Sequence, residues 1–182
     1  MKKGNKVLLV FLIVLLILSI PFLAIGYFGS QTRQLHKAEH FFKNNQPALE
    51  DSIDILESTL QNTLTENPVK NENYIELKKP PMLPSDVDTI NWVRADGDDQ
   101  AYVLSLGAFG IVPSMSYYGL YYSINDTPCN LMETQAPENV KQQENRLKPN
   151  DSEIWTWQES KGDNSLYTER IAPHWFTYRQ TF

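Results

Sequence analysis

From Val7 to Phe28 the chain runs for 22 residues without a charged side chain, and 17 of them are Leu, Ile, Val or Phe. A helix of that length rises about 33 Å at 1.5 Å per residue, matching a bilayer hydrocarbon core of about 30 Å. Transfer of those side chains contributes roughly −5 to −10 kcal/mol on an insertion scale of about −0.3 to −0.6 kcal/mol each. Pro21 costs about 3 kcal/mol in a helix interior and does not reverse the sign. Residues 7–28 are therefore expected to form a transmembrane signal-anchor helix, with the lipid bilayer as the partner of this segment.

Lys2, Lys3 and Lys6 lie in front of the apolar run with no acid among them. Such a basic flank, residues 1–6, stays cytoplasmic and places the chain beyond the helix in an extracytoplasmic position at the cell membrane. The competing reading is a secreted chain released by signal-peptide cleavage near Gly26, after Ala24 and Ile25. Phe22, Leu23, Ile25, Tyr27 and Phe28 prolong the apolar run beyond Pro21, which favours the uncleaved anchor.

The charge is divided unevenly. Net charge over the whole chain is −6, and setting aside the three lysines before the anchor leaves −9 on residues 29–182. An acidic domain of this kind is a poor match for nucleic acid and a good match for a basic protein partner. The single Cys129 cannot close an intramolecular disulfide, so the domain must be held by its core.

Residues 29–46 read as a helical stalk and residues 47–182 as an extracytoplasmic α+β domain. Leu49, Ile53, Leu56, Leu60 and Leu64 fall within about 80° of arc at 100° per residue, one apolar stripe of an amphipathic helix. Pro47 lacks an N–H and is expected to start or bend that helix. From Tyr74 the period changes to two. Tyr74–Leu77, Thr89–Ala95, Ala101–Leu106 and Tyr117–Ile124 read as strands, with Ile90 and Trp92 on one side of theirs. Thr127–Asn150 reads as a long loop, with a short helix near Pro137–Asn145. The last thirty residues read as a three-stranded meander. Glu153–Gln158 and Ser165–Ile171 flank a turn at Lys161–Asn164, and a third strand comes after Pro173. The fold class is α+β: an N-terminal transmembrane helix, then an amphipathic helix packed on a mostly antiparallel sheet.

Chemistry-bearing patterns are few. His36-Lys37-Ala38-Glu39-His40 matches the H-x-x-E-H zinc pattern but sits on the expected stalk, where two exposed histidines are the simpler reading. Asp96, Asp98 and Asp99 do not fit an EF-hand loop, which needs acids at successive alternate positions and a Glu at the twelfth, and a solvated hairpin turn is the simpler reading. His174, Glu159 and Glu169 could converge at the final hairpin, yet no strained G-x-S-x-G turn marks a nucleophile and no Gly-rich loop marks a phosphate site. No cofactor, metal or catalytic residue is expected.

The aromatic side chains carry the strongest functional signal. Residues 102–182 hold 13 of them, and strict alternation sends neighbouring rings to opposite sides of a strand. Such a sheet either receives a second cover or displays a binding surface, for which Tyr117, Tyr121, Trp155, Trp157 and Trp175 are the candidates. The function expected from these features is a single-pass, membrane-anchored, non-catalytic binding protein for a basic protein such as a toxin, or for an envelope component. Two alternatives stand beside it. One is an envelope enzyme with an unrecognised site. The other rests on layout: a basic leader ending at Gly4, an apolar helix, a helical continuation and an antiparallel sheet resemble pilin-like subunits. In this chain Asn5 and Lys6 come after Gly4, and Leu9 stands where that family carries Glu.

Overall fold

The computed structural model describes the backbone of residues 3–66, 73–95, 99–111, 114–132, 148–151, 153–159 and 162–182. Side chains are described throughout these ranges except at 3–12, 14–31, 110, 111, 114, 148, 150 and 151. One long helix, α1 (Lys3–Glu66), precedes the strands β1 (Tyr74–Leu77), β2 (Thr89–Arg94), β3 (Gln100–Ile111), β4 (Ser114–Ser123), β5 (Lys148–Asp151), β6 (Ile154–Gln158), β7 (Ser165–Ala172) and β8 (Trp175–Thr181). The chain divides into two compact units. Met1–His36 is purely helical where described, and Lys37–Phe182 holds the remainder of α1 and all the strands. The expected membrane segment, Val7–Phe28, falls on residues whose side chains, Ile13 apart, lie outside the description. Among the described residues no helix is long and apolar enough to cross a membrane.

The eight described strands form one sheet in the order β1-β2-β3-β4-β8-β7-β6-β5, with every neighbouring pair antiparallel. An α+β protein dominated by antiparallel sheet is thus the observed class. The C-terminal meander is present as β6-β7-β8, and it joins the earlier strands because β8 pairs with β4 from Ser116↔Thr181 to Tyr122↔Trp175.

Alternation distributes the core to both sides of the sheet. On one side Leu49, Leu56 and Leu60 of α1 meet Ile75, Leu77, Ile90, Trp92, Tyr102, Leu104, Leu120 and Trp175, all buried. On the other, Val93, Ala101, Val103, Tyr121, Leu166, Phe176 and Tyr178 pack with Cys129, Leu131 and Met132 from the segment after β4. The second side therefore receives a cover from the stretch that sequence alone reads as loop.

Three expectations need correction. The helix does not start at Pro47; α1 passes through it unbroken. Proline forfeits one backbone hydrogen bond and crowds the carbonyl four residues back, a cost of about 3 kcal/mol. Burial on both sides of Pro47 outweighs that cost. Ala38, Phe41 and Phe42 upstream and Leu49, Leu56 and Leu60 downstream belong to the same core cluster, and the Phe42 ring lies 5.4 Å from that of Trp175. Next, β3 runs five residues past Leu106. A bulge between Ser105 and Gly107 absorbs the break, with Gly107 at φ 147°, a conformation open to glycine and strained for other residues. Lastly, Lys148–Asp151 forms an edge strand in which Pro149 is tolerated because only one side of it is paired. The short helix expected near Pro137–Asn145 lies outside the described residues.

If residues upstream of Pro47 belong to the folded core, Phe42→Ala should lower unfolding free energy by about 3–5 kcal/mol, as for other buried Phe deletions. Urea denaturation of the full chain measures this. A free stalk would show almost no change.

Candidate functional site

Register sorts the five aromatic candidates. Tyr122 pairs with Trp175, and Tyr121 with Phe176. Trp175 accordingly faces α1, 2% exposed and packed on Phe42. Tyr121 points the other way. Trp155 opposes Thr168 and Trp157 opposes Leu166, which brings both indoles to the side of Tyr121. Tyr117, two residues before Gly119 on β4, shares that side. Tyr117, Tyr121, Trp155 and Trp157 thus share one side of the sheet, and Trp175 lies on the other.

Their exposures differ. Tyr121 is completely enclosed, stacked on Phe176 with ring centroids 4.9 Å apart and planes within 3°. Trp155 is half-buried and meets Phe176 edge-on at 6.0 Å. Trp157 is half-buried. Tyr117 is 38% exposed and holds Phe182 edge-on at 5.9 Å.

A buried phenol needs partners for its hydroxyl, and Tyr121 has two with fixed polarity. Thr168 Oγ1 donates to the carbonyl of Thr177 at 3.0 Å, so at 2.8 Å it accepts from the Tyr121 hydroxyl. That hydroxyl in turn accepts the backbone N–H of Cys129 at 3.2 Å. One chain of bonds stitches the covering segment to β4, β7 and β8. Burial, with the nearby Cys129 adding to it, pushes the Tyr121 phenol far above its ordinary 10.0. Burial also raises the Cys129 thiol from 9.0 to about 12, only partly relieved by Ser123. Its Sγ lies 3.7 Å from Ser123 Oγ and 3.7 Å from the carbonyl of Thr127. A thiol held protonated in this way is a core group and not a nucleophile.

A second anchor stands where β4 ends. Arg170 donates from Nη1 to Asp126 Oδ1 at 2.6 Å and from Nη2 to the Asp126 carbonyl at 2.8 Å. The His174 N–H reaches the same Oδ1 at 2.6 Å. Asp126 at φ 57° and His174 at φ 63° are both left-handed, a conformation that costs an L-residue roughly 1–2 kcal/mol. In the turn Ala172-Pro173-His174-Trp175, proline fixes φ near −65° and the next residue takes positive φ, the pattern of a type II turn in which glycine is usual. The imidazole offsets the strain: Nδ1 lies 2.9 Å from the Ser123 carbonyl, and the ring stacks on Tyr122 at 5.2 Å. Arg170 also sits 4.9 Å over the Phe176 ring and 3.4 Å from the Glu153 carboxylate. The Arg170 hydrogen bond, followed by that of the His174 N–H, holds the Asp126 carboxyl below its ordinary 3.8.

The remaining chemical candidates are apart. Glu169 accepts from the Tyr167 hydroxyl at 3.0 Å. Glu159 lies by the turn at the Ser165 end of β7, whereas His174 follows its Ala172 end. On α1, Glu39 pairs with Lys43 at 2.6 Å, and His40 Nδ1 lies 2.9 Å from Asn44 Nδ2. Asp99 accepts from Thr127 at 3.0 Å, and Asp96 and Asp98 lie outside the described residues. No three His, Cys, Asp or Glu side chains among the described residues gather as a metal cluster. Comparison with protein-family profiles, with curated proteins and with solved structures finds no match to this chain.

Tyr121→Phe leaves the Cys129 N–H and Thr168 Oγ1 short of a partner and should cost about 1–3 kcal/mol, read from urea midpoints. Stability should also fall at both pH extremes. Cys129, Tyr102 and Tyr167 are each raised to about 12 by burial first. Their contribution is complete below the unfolded values of 9.0 and 10.0 and is lost as pH climbs toward 12. Asp126, lowered from 3.8, contributes above that value and loses its contribution as pH drops below it. Cys129→Ala should flatten the alkaline limb and Asp126→Asn the acid limb, whatever either does to the plateau.

Proposed function

We propose that this chain is a single-pass membrane protein, N-terminus cytoplasmic, whose extracytoplasmic domain binds a basic protein and performs no catalysis. The observation carrying the binding part of this reading is the unequal cover of the ring-bearing side. Around Tyr121 the rings are sealed beneath Cys129, Leu131 and Met132, while Tyr117, backed edge-on by Phe182, stays open to solvent. A rigid aromatic ring fixed on a strand is the kind of anchor that interfaces favour, because little side-chain entropy is lost when it is covered. The net −9 on residues 29–182 supports a basic partner, and the uncharged run Val7–Phe28 supports the anchor.

A second reading, a pilin-like structural subunit, draws support from α1, which continues as one helix through Pro47 ahead of the antiparallel sheet. Determining the amino terminus of the mature protein separates them: Met1 accords with the anchor, Asn5 with the pilin-like subunit.

The anchor requires that full-length protein stay with membranes through an alkaline carbonate wash and that a reporter fused after Phe182 be active only outside the cytosol. Release by carbonate or cytosolic reporter activity would contradict it. For binding, a photo-crosslinking phenylalanine analogue at position 117 of the membrane-embedded chain should capture a basic protein, with yield falling as salt rises. The same analogue at buried position 175 gives the background. Yields no higher at 117 than at 175 would dismiss the open aromatic patch as the binding surface.

A further inference from the structure

β3 is longer than the strand beside it. Pairing with β2 stops at Thr89↔Ser105, capped by the Asp88 N–H donating to the Ser105 carbonyl at 2.8 Å, yet β3 continues to Ile111. On its other edge β3 stays paired with β4 as far as Ile111↔Ser114. The residues from Gly107 to Ile111 thus form a sheet edge with no strand beside it among the described residues.

Which backbone groups point outward is set by the ladder. Met115 and Phe182 exchange both N–H···O bonds, at 3.2 and 2.9 Å, so the peptide groups of Met115 are directed at β8. In an antiparallel ladder alternate residues face alternate neighbours, so Ser114, Ser116 and Tyr118 bond β3 through Ile111, Phe109 and Gly107. Ala108 and Gly110 then direct N–H and C=O away from the sheet. The segment Leu106-Gly107-Ala108-Phe109-Gly110-Ile111 contains no charge and no proline, two of the usual devices that keep an edge from pairing. Ala108 is exposed and Phe109 is 48% exposed.

We infer that this edge is a strand-addition site, at which the basic partner proposed above docks an extended segment antiparallel to β3, with a Lys or Arg at its C-terminal end. The inference rests on the reading of the domain as a protein-binding module. An added strand would lie in line with β2 and run in the same direction, so its C-terminal end meets Asp88. Asp88 and Asp86 are both exposed there. Lys79, which reaches the same loop, donates its Nζ to the carbonyls of Val87 at 2.7 Å and Ser85 at 3.3 Å. Main-chain bonds to Ala108 and Gly110 provide the docking, Phe109 offers a ring to a partner side chain on the α1-facing side, and Asp88 fixes direction and charge.

The probe is an acetylated, amidated heptapeptide of alternating Thr and Val ending in Lys, titrated into the full-length chain in detergent and followed by fluorescence anisotropy. Two companions carry Glu in place of Lys, or N-methyl groups on alternate amides. Binding by the Lys peptide, at least tenfold weaker binding by the Glu peptide and none by the methylated one are expected. Ala108→Pro, which removes an N–H that the sheet does not use, should abolish binding. Asp88→Lys, at an exposed position, should weaken the Lys peptide tenfold and strengthen the Glu peptide. It keeps the test decisive should the proline variant fold poorly. Equal binding by the methylated peptide, indifference to both substitutions, or no binding by the Lys peptide would overturn the inference. So would a concentration-dependent dimer abolished by Ala108→Pro, which would make a second copy the occupant. None of these results alters the crosslinking yield at position 117, so failure of the edge and failure of the binding reading are distinguishable.

Discussion

A β-strand sends successive side chains to opposite sides, so a sheet with large rings at consecutive positions must be covered twice or leave rings in water. This chain has Tyr121 beside Tyr122 and Trp175 beside Phe176, paired across β4 and β8. The α1 stripe protects one side through Leu49, Leu56 and Leu60. The other depends on a short irregular stretch, Cys129 to Met132, and irregular chain has no ladder of its own to hold it in place. The Tyr121 hydroxyl supplies the missing tie by accepting the Cys129 N–H while donating to Thr168.

The Asp126 anchor makes the same geometry persist. Its carboxylate gathers the Arg170 guanidinium and the His174 N–H, so the exit from β4 and the β7–β8 turn are fixed against each other. Two non-glycine residues in left-handed conformation are tolerated because each is bonded to the rest of the cluster. Asp126 is part-exposed, so the worth of the ion pair itself is modest; the benefit lies in holding the covering segment at its entry.

How much of this fold is legible in the sequence depends on the range of the interaction. The α1 stripe and the alternation of Tyr102/Leu104, Tyr118/Leu120 and Phe176/Tyr178 are local periodicities, and the structure follows them. Pro47 misleads because its local penalty is real but smaller than the burial of Phe42 and Leu49 on either side, which no local pattern reveals. The strand expected over Ala101–Leu106 stops short, because Gly107 serves a bulge that lets β3 go on. Polar, proline-containing β5 has no strand signature at all. Of the candidate site, the shared side of Tyr117, Tyr121, Trp155 and Trp157 is decided by the β4–β8 and β6–β7 registers, and Trp175 falls on the other side for the same reason. Asp126, Arg170 and His174 lie dozens of residues apart or across a turn, and nothing in their neighbourhoods marks them as partners.

The second side of the sheet stays sealed only while the Cys129 amide is locked onto the Tyr121 hydroxyl, and hydrogen exchange followed residue by residue reads that amide directly. It should exchange as slowly as the amides of central β4, and the Tyr121→Phe variant should exchange it much faster while β4 stays protected. Fast exchange at Cys129 in the unaltered protein, on the scale of an exposed loop, would mean that the second side of the sheet is not sealed by this segment.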